Sequence, residues 1–148
     1  MPCLFCSFAS GKRSASRGYP FLPVHETKRT VSFLSIDNPA HEEGHLLVIP
    51  KRHYGSLGAV PSQVLHELAE HVRRASVVLR KAHGGVNVLL NDGRAAGQYI
   101  PHVHVHVIPR DKGDGIAVEK WKRKRMSVKK FRKVTERVRK GFGITKTR

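Results

Sequence analysis

Hydrophobic and polar positions alternate most strictly across residues 101–110, where His102, His104 and His106 are interleaved with Val103, Val105 and Val107. A period of two is what a half-buried strand requires, because successive side chains point to opposite faces of a sheet. The valines are expected to enter a core, and the histidines to share one face. Residues 20–26 and 30–36 form two further extended runs, with a polar turn at 25–29 between them, so a hairpin is predicted. Asp37-Asn38-Pro39 breaks the second run. Residues 45–50, His-Leu-Leu-Val-Ile-Pro, predict a short strand with His45 at its mouth and the basic loop Lys51-Arg52-His53 after it. Residues 86–91 predict another strand. The loop from Asn91 through Gly93, Gly97 and Gln98 leads from it into the histidine run, an arrangement that suits an antiparallel pair with backbone amides turned toward an anion.

The pattern changes period twice. From Ser62, taken as the helix cap, Leu65, Leu68, Ala69, Val72, Ala75 and Leu79 follow helical spacing until Gly84-Gly85 stops the run. Glu67, Glu70, Arg73, Arg74, Arg80 and Lys81 cover the polar side, and His66, His71 and His83 are expected to be solvated with them. Near the end of the chain, Ser127 caps a second helix in which Val128, Phe131, Val134, Val138 and Phe142 make one apolar stripe among basic residues. That stripe is expected to dock on the domain, with Trp121 packed in a core or an interface. Residues 10–19, rich in Ser, Gly and basic side chains, are expected to be a loop.

Composition narrows the class. The 148 residues, 39% of them hydrophobic, suffice for one domain with a substantial core. No apolar run approaches the ~20 residues of a membrane span, and no signal-peptide layout opens the chain. A soluble, intracellular, cytoplasmic protein is expected. Cys3 and Cys6 are the only cysteines. Their C-x-x-C spacing suits half a metal site or a redox pair, and a thioredoxin-like role fits less well because no strand precedes the motif. Charge changes the picture most. Of 28 basic and 11 acidic residues, 14 and 2 fall in residues 118–148, so that segment carries +12 of the +17 total. It is set apart as a basic helical extension of a domain spanning 1–117, and a nucleic-acid partner is one possibility it opens.

Histidines can act as nucleophiles, proton carriers and metal ligands near neutral pH, so three on one face can divide these duties. The chain has no G-x-S-x-G setting for a serine nucleophile and no Walker loop. Histidine is therefore the best nucleophile candidate.

Cys3-x-x-Cys6, Gly44-His45-Leu-Leu-Val-Ile-Pro-Lys51-Arg-His53, Asn91-Asp-Gly93, Gly97-Gln98 and His102-x-His104-x-His106-Val-Ile-Pro-Arg110 together resemble the histidine triad family, in the family's order and across most of residues 1–115. The resemblance implies an α+β fold. An antiparallel sheet of about five strands carries the long helix, usually in a homodimer, and here a C-terminal helix follows. It further implies that His104 attacks the α-phosphorus of a nucleotide phosphoramidate, ester or anhydride, giving a nucleotidyl-histidine that water hydrolyses. By the same comparison His106 and His45 contact phosphate oxygens, with Asn91, Gly97 and Gln98 assisting. Asp37 meets the ribose of a nucleotide, expected to be a purine, and apolar residues near Phe33 flank the base. In zinc-bearing relatives Cys3, Cys6, His53 and His102 correspond to a closed, structural Cys₂His₂ set. Tyr99 stands where many phosphoramidase-type relatives have Ser, and residues 10–19 are basic where relatives are acidic. The activities that remain open are hydrolysis of small nucleotides, aprataxin-like removal of adenylate from nucleic-acid ends, and non-catalytic nucleotide-binding regulation.

Overall fold

A computed structural model describes residues 3–12, 15–36, 44–118 and 125–143. Asp37 and Trp121 lie outside the described residues. Two compact units divide the chain, Met1–Ile116 and Ala117–Arg148. The first is an α+β unit. Its main sheet is antiparallel and five-stranded, built from β3 (Pro23–Glu26), β4 (Thr30–Leu34), β5 (Leu46–Pro50), β6 (Gly85–Leu90) and β7 (Val105–Arg110) in the spatial order β3-β4-β5-β7-β6. The helices of this unit are α1 (Leu4–Ala9) and α2 (Ser62–Leu79).

The nearly unbroken apolar run of β5 reflects a sheet covered on both faces. Leu46 and Val48 enter a core with Val64, Leu68 and Ala75 of α2 and with Val103, Val105 and Val107. Leu47 and Ile49 point the other way, into a core made with Val31, Phe33, Phe5 and Phe8. Phe5 and Phe8 belong to α1, so α1 covers the face opposite α2. Removing most of a side chain as deeply buried as Ile49 costs about 2–5 kcal/mol. Parity then does the rest. With the odd-numbered valines on the α2 side, His102, His104 and His106 face the α1 side, and the Phe5 ring lies 5.8 Å from that of His102 and 5.4 Å from that of His104.

Several expectations are corrected. The histidine strand is shorter than its alternation: β7 begins at Val105, and the preceding residues are held off the ladder by a bond from Val103 N to Tyr54 O (2.7 Å). Residues 10–19 are not all loop, because β1 (Ala15–Ser16) and β2 (Tyr19–Pro20) form a small hairpin. Its two turn residues, Arg17 and Gly18, take φ of +49° and +82°, the left-handed values that a two-residue hairpin turn demands. Ser62 is the first residue of α2, and Pro61 occupies the cap position without a side-chain bond. Val64, not Leu65, starts the buried stripe, which runs through Leu68, His71 and Ala75.

The correction with the largest energetic weight is His71, which is buried, with 2% of its surface exposed. His71 Nδ1 is hydrogen-bonded to Thr30 Oγ1 (2.7 Å) and His71 Nε2 to Ser32 Oγ (2.9 Å). Both ring nitrogens are satisfied, as a buried imidazole requires. Glu67, expected on the polar side, instead pins the β3–β4 turn. It accepts from Thr27 Oγ1, from Arg29 N (2.7 Å) and from Arg29 Nη1 (2.9 Å). The Thr27 hydroxyl first, and then Arg29, hold its carboxyl down at about 2.

The second unit contains α3 (Val128–Gly141), whose first turn is capped as expected by Ser127 Oγ accepting from Lys130 N at 3.3 Å.

Burial, and then the neighbouring His25 charge, push His71 down to about 4 from 6.5. Between these values the unfolded chain binds a proton that the folded ring refuses, so this contribution to stability is present above pH 6.5 and is lost as pH falls toward 4. Denaturant titrations of wild type and His71→Leu are expected to show a stability gap at pH 7 that narrows by on the order of 3 kcal/mol by pH 4. A gap independent of pH contradicts the assignment.

Candidate active site and metal cluster

The C-x-x-C motif sits at the start of α1, with Cys3 at the cap position and Cys6 in the first turn. Because α1 covers the histidine face, both thiols meet His102. Cys3 Sγ lies 3.4 Å and Cys6 Sγ 3.5 Å from His102 Nδ1, and Cys6 Sγ lies 3.4 Å from His53 Nδ1. The ligand atoms of Cys3, Cys6, His53 and His102 all lie within 4.8 Å of one another. His102 Nε2–H donates to Pro50 O (2.8 Å), which leaves the Nδ1 lone pair directed at the two sulfurs. Burial holds His102 below its ordinary value, so the ring is neutral as a ligand must be. Burial, and then the adjacent Cys3, raise the Cys6 thiol. Two thiols and two imidazoles converging in this way fit a tetrahedral metal of borderline softness.

Pro50 supplies this bond where the β5–β7 ladder ends, at the Val48–Val105 pair. Beyond that point the His102 ring replaces a backbone partner. The main chain of His102 has a second duty: its carbonyl accepts from His104 Nδ1–H at 2.7 Å. A neutral His104 ring therefore carries its lone pair on Nε2. The ring is buried beside Phe5, and its centroid is 5.0 Å from that of His106. His106 Nδ1 is 3.0 Å from His45 Nε2, so these two imidazoles share one hydrogen bond. Burial first, then the charges of His104 and His45, press His106 down to about 4. The result is a neutral His106, hydrogen-bonded to His45, beside a nucleophile whose free nitrogen is fixed, which suits attack at an electrophilic centre with charged oxygens near His106 and His45.

The 91–98 loop closes the other side. Gly93 and Gly97 take φ of +92° and +88° around the short turn Arg94–Ala96. Gln98 is buried, and its side chain clamps the loop by accepting from Gly93 N (2.8 Å) and donating to Gly55 O (3.0 Å). A Cβ at Gly97 would sit 3.6 Å from Asn91 Nδ2, so the asparagine amide lies against this glycine. The clamp to Gly55, 43 residues away, has no local sequence signal. Phe33 is core, packed against Phe5, Phe8 and Phe21, while the neighbouring Leu34 is exposed. Tyr99, at 83% exposure, stands outside the clamp.

Residues 21–113 match the family model described as the HIT domain. The adenosine 5'-monophosphoramidase of Candida albicans is 33% identical over 144 residues, covering 93% of this chain and 89% of that protein. The adenylylsulfatase HINT3 of Arabidopsis thaliana is 36% identical over 114 residues, covering 76% of this chain and 54% of that one. A zinc-bound histidine triad family protein from Mycobacterium smegmatis superposes with a TM-score of 0.69 at 32% identity, covering 83% and 85% of the two chains.

In a histidine-selective NMR titration, the His106 ring is expected to stay neutral until about pH 4. In His45→Ala the loss of one positive neighbour raises that midpoint. An unchanged or lower midpoint contradicts the coupling.

Proposed function

The chain belongs to the HIT family and is a hydrolase of the HIT type, and we propose that it cleaves nucleotides at the α-phosphate through a covalent intermediate on His104. The observation that carries this reading is the 2.7 Å bond from His104 Nδ1–H to His102 O, which reserves Nε2 for attack. In the proposed step, the Nε2 lone pair forms a bond to the α-phosphorus while the bond to the leaving amine, alcohol or phosphate breaks. His106 and His45 contact the phosphate oxygens, and the Asn91 amide and the Gly97 backbone help neutralise the developing charge, with Gln98 holding their loop in place. Water then displaces His104 and releases the nucleoside monophosphate. Asp37 is proposed to meet the ribose of a purine nucleotide.

The named activities of two relatives, a phosphoramidase and an adenylylsulfatase, support a nucleoside 5'-phosphoramidate or a mixed anhydride as substrate. A dinucleoside polyphosphate presents the same α-phosphorus. Removal of adenylate from nucleic-acid ends draws on the basic segment 118–148 for its support. Cys3, Cys6, His53 and His102 are proposed to hold one zinc ion. When bound, zinc contributes folding free energy by tying α1 to the residue that orients His104. A homodimer completes the reading.

A substrate panel of adenosine phosphoramidate, AMP-lysine amide, diadenosine tetraphosphate and 5'-adenylated DNA, run on wild type and His104→Ala, tests the reaction. Wild type is expected to turn over at least one, and the variant to lose activity by about three orders of magnitude or more. Equal rates in the two proteins contradict the nucleophile, and a non-catalytic regulator is the reading left if wild type turns over none.

Elemental analysis of protein purified without chelator is expected to find about one zinc per chain. Cys3→Ser with Cys6→Ser should lose most of that metal and melt at a lower temperature. Full retention of zinc by the double variant contradicts the assigned ligands.

A further inference from the structure

Cleavage of a small nucleotide does not use the second unit, on which only the deadenylation reading draws, and there α3 carries two opposed faces. At about 100° of rotation per residue, Val128, Phe131, Val134, Val138 and Phe142 occupy roughly a third of the circumference. Lys129, Lys133, Arg137 and Lys140 lie on the far side, with Lys130, Arg132 and Arg139 on the borders between the faces. The phase of the helix is set by the Ser127 cap. All seven basic side chains are exposed, and none is in an ion pair among the described residues. Glu136 is the one acidic residue of α3. The helix therefore presents a net +6 along 14 residues, or roughly 21 Å at ~1.5 Å per residue.

The ligand must explain a line of cations that points away from the apolar stripe. A bilayer uses the cations less fully. With the stripe in an anionic membrane, the border cations Lys130, Arg132 and Arg139 would reach the head groups. Lys129, Lys133, Arg137 and Lys140 would stand farthest away, about a helix diameter and about one Debye length off, and would add least to the attraction. A single nucleotide has too few phosphates to engage cations distributed over four turns. A phosphodiester backbone meets the requirement, because it offers negative charge at regular intervals along a line and leaves the apolar stripe for a protein contact.

We propose that the basic face of α3 is a binding surface for the phosphate backbone of nucleic acid, held through charge and without base preference. Binding is independent of His104 chemistry and stands whether or not the proposed hydrolysis does. The same phosphodiester chemistry can come from RNA or DNA, so both belong in the test.

Fluorescence anisotropy of the full chain with labelled RNA, single-stranded DNA and duplex DNA of about 20 nucleotides, between about 50 and 300 mM KCl, should show log affinity falling linearly with log salt at a slope of about −3 to −6. The triple change Lys129→Glu, Lys133→Glu and Lys140→Glu should weaken binding at least about tenfold and flatten the slope, since the slope counts displaced counterions. The neutral triple Lys129→Gln, Lys133→Gln and Lys140→Gln should fall between it and wild type, and circular dichroism should show the helix retained in both. A control triple with the same charge change in the first unit, Lys28→Glu, Lys81→Glu and Lys112→Glu, should change affinity less than about threefold. His104→Ala should bind as wild type does. Equal losses in the α3 and control triples, a slope near zero, or binding to vesicles of phosphatidylcholine and phosphatidylglycerol in preference to every nucleic acid would each overturn the proposal.

Discussion

One imidazole, that of His102, joins the parts of this structure that matter for chemistry. Its Nε2–H is held by Pro50 O, its Nδ1 faces the thiols of Cys3 and Cys6, and its main-chain oxygen takes the proton of His104 Nδ1. These bonds tie β5, α1 and the proposed nucleophile to one residue. The ring is fully buried, so each nitrogen must find a partner or cost the chain the desolvation of a polar group. Packing and reactivity are thus set by the same requirement: satisfying His102 fixes which nitrogen of His104 is free.

The arrangement depends on parity. A one-residue slip of the histidine run would turn every imidazole toward α2 and every valine toward α1. Two apolar layers guard against this, one holding Val103, Val105 and Val107 against α2, the other setting Phe5 against Phe33. Register is fixed again on the sheet, where Leu47 and Leu89 both stand opposite His106. His106, beside the buried His45 and His104, is held neutral chiefly through burial, and the cores on both faces supply that burial. The hydrolase chemistry proposed here therefore rests on the apolar pattern as much as on the histidines.

Much of this was legible in the order of residues. Alternation separated valines from histidines, the short apolar run at 45–50 gave β5, and helical spacing gave α2 and α3. The resemblance named the two cysteines and two histidines that the structure brings within reach of one metal ion. What escaped the reading depends on partners distant in sequence. His71 looked like a polar-face residue because its hydrogen-bond partners, Thr30 and Ser32, lie on β4 about forty residues earlier. Gln98 is clamped to Gly55, and β7 starts late because Tyr54 and Pro50 carbonyls capture the residues before it. The small hairpin was hidden because its turn uses Arg-Gly, where Asn-Gly or Asp-Gly is the usual signal. No local pattern announces any of these contacts.

Covalent attack by His104 Nε2 is the step on which the proposed chemistry depends. Rapid acid-free quenching of the enzyme with α-³²P-labelled adenosine phosphoramidate, followed by peptide mapping, measures it. The prediction is a transient adenylyl adduct, stable to base and labile to acid, on the peptide containing His104 and absent from His104→Ala. Turnover with no adduct, or an adduct on another residue that persists in His104→Ala, would contradict it.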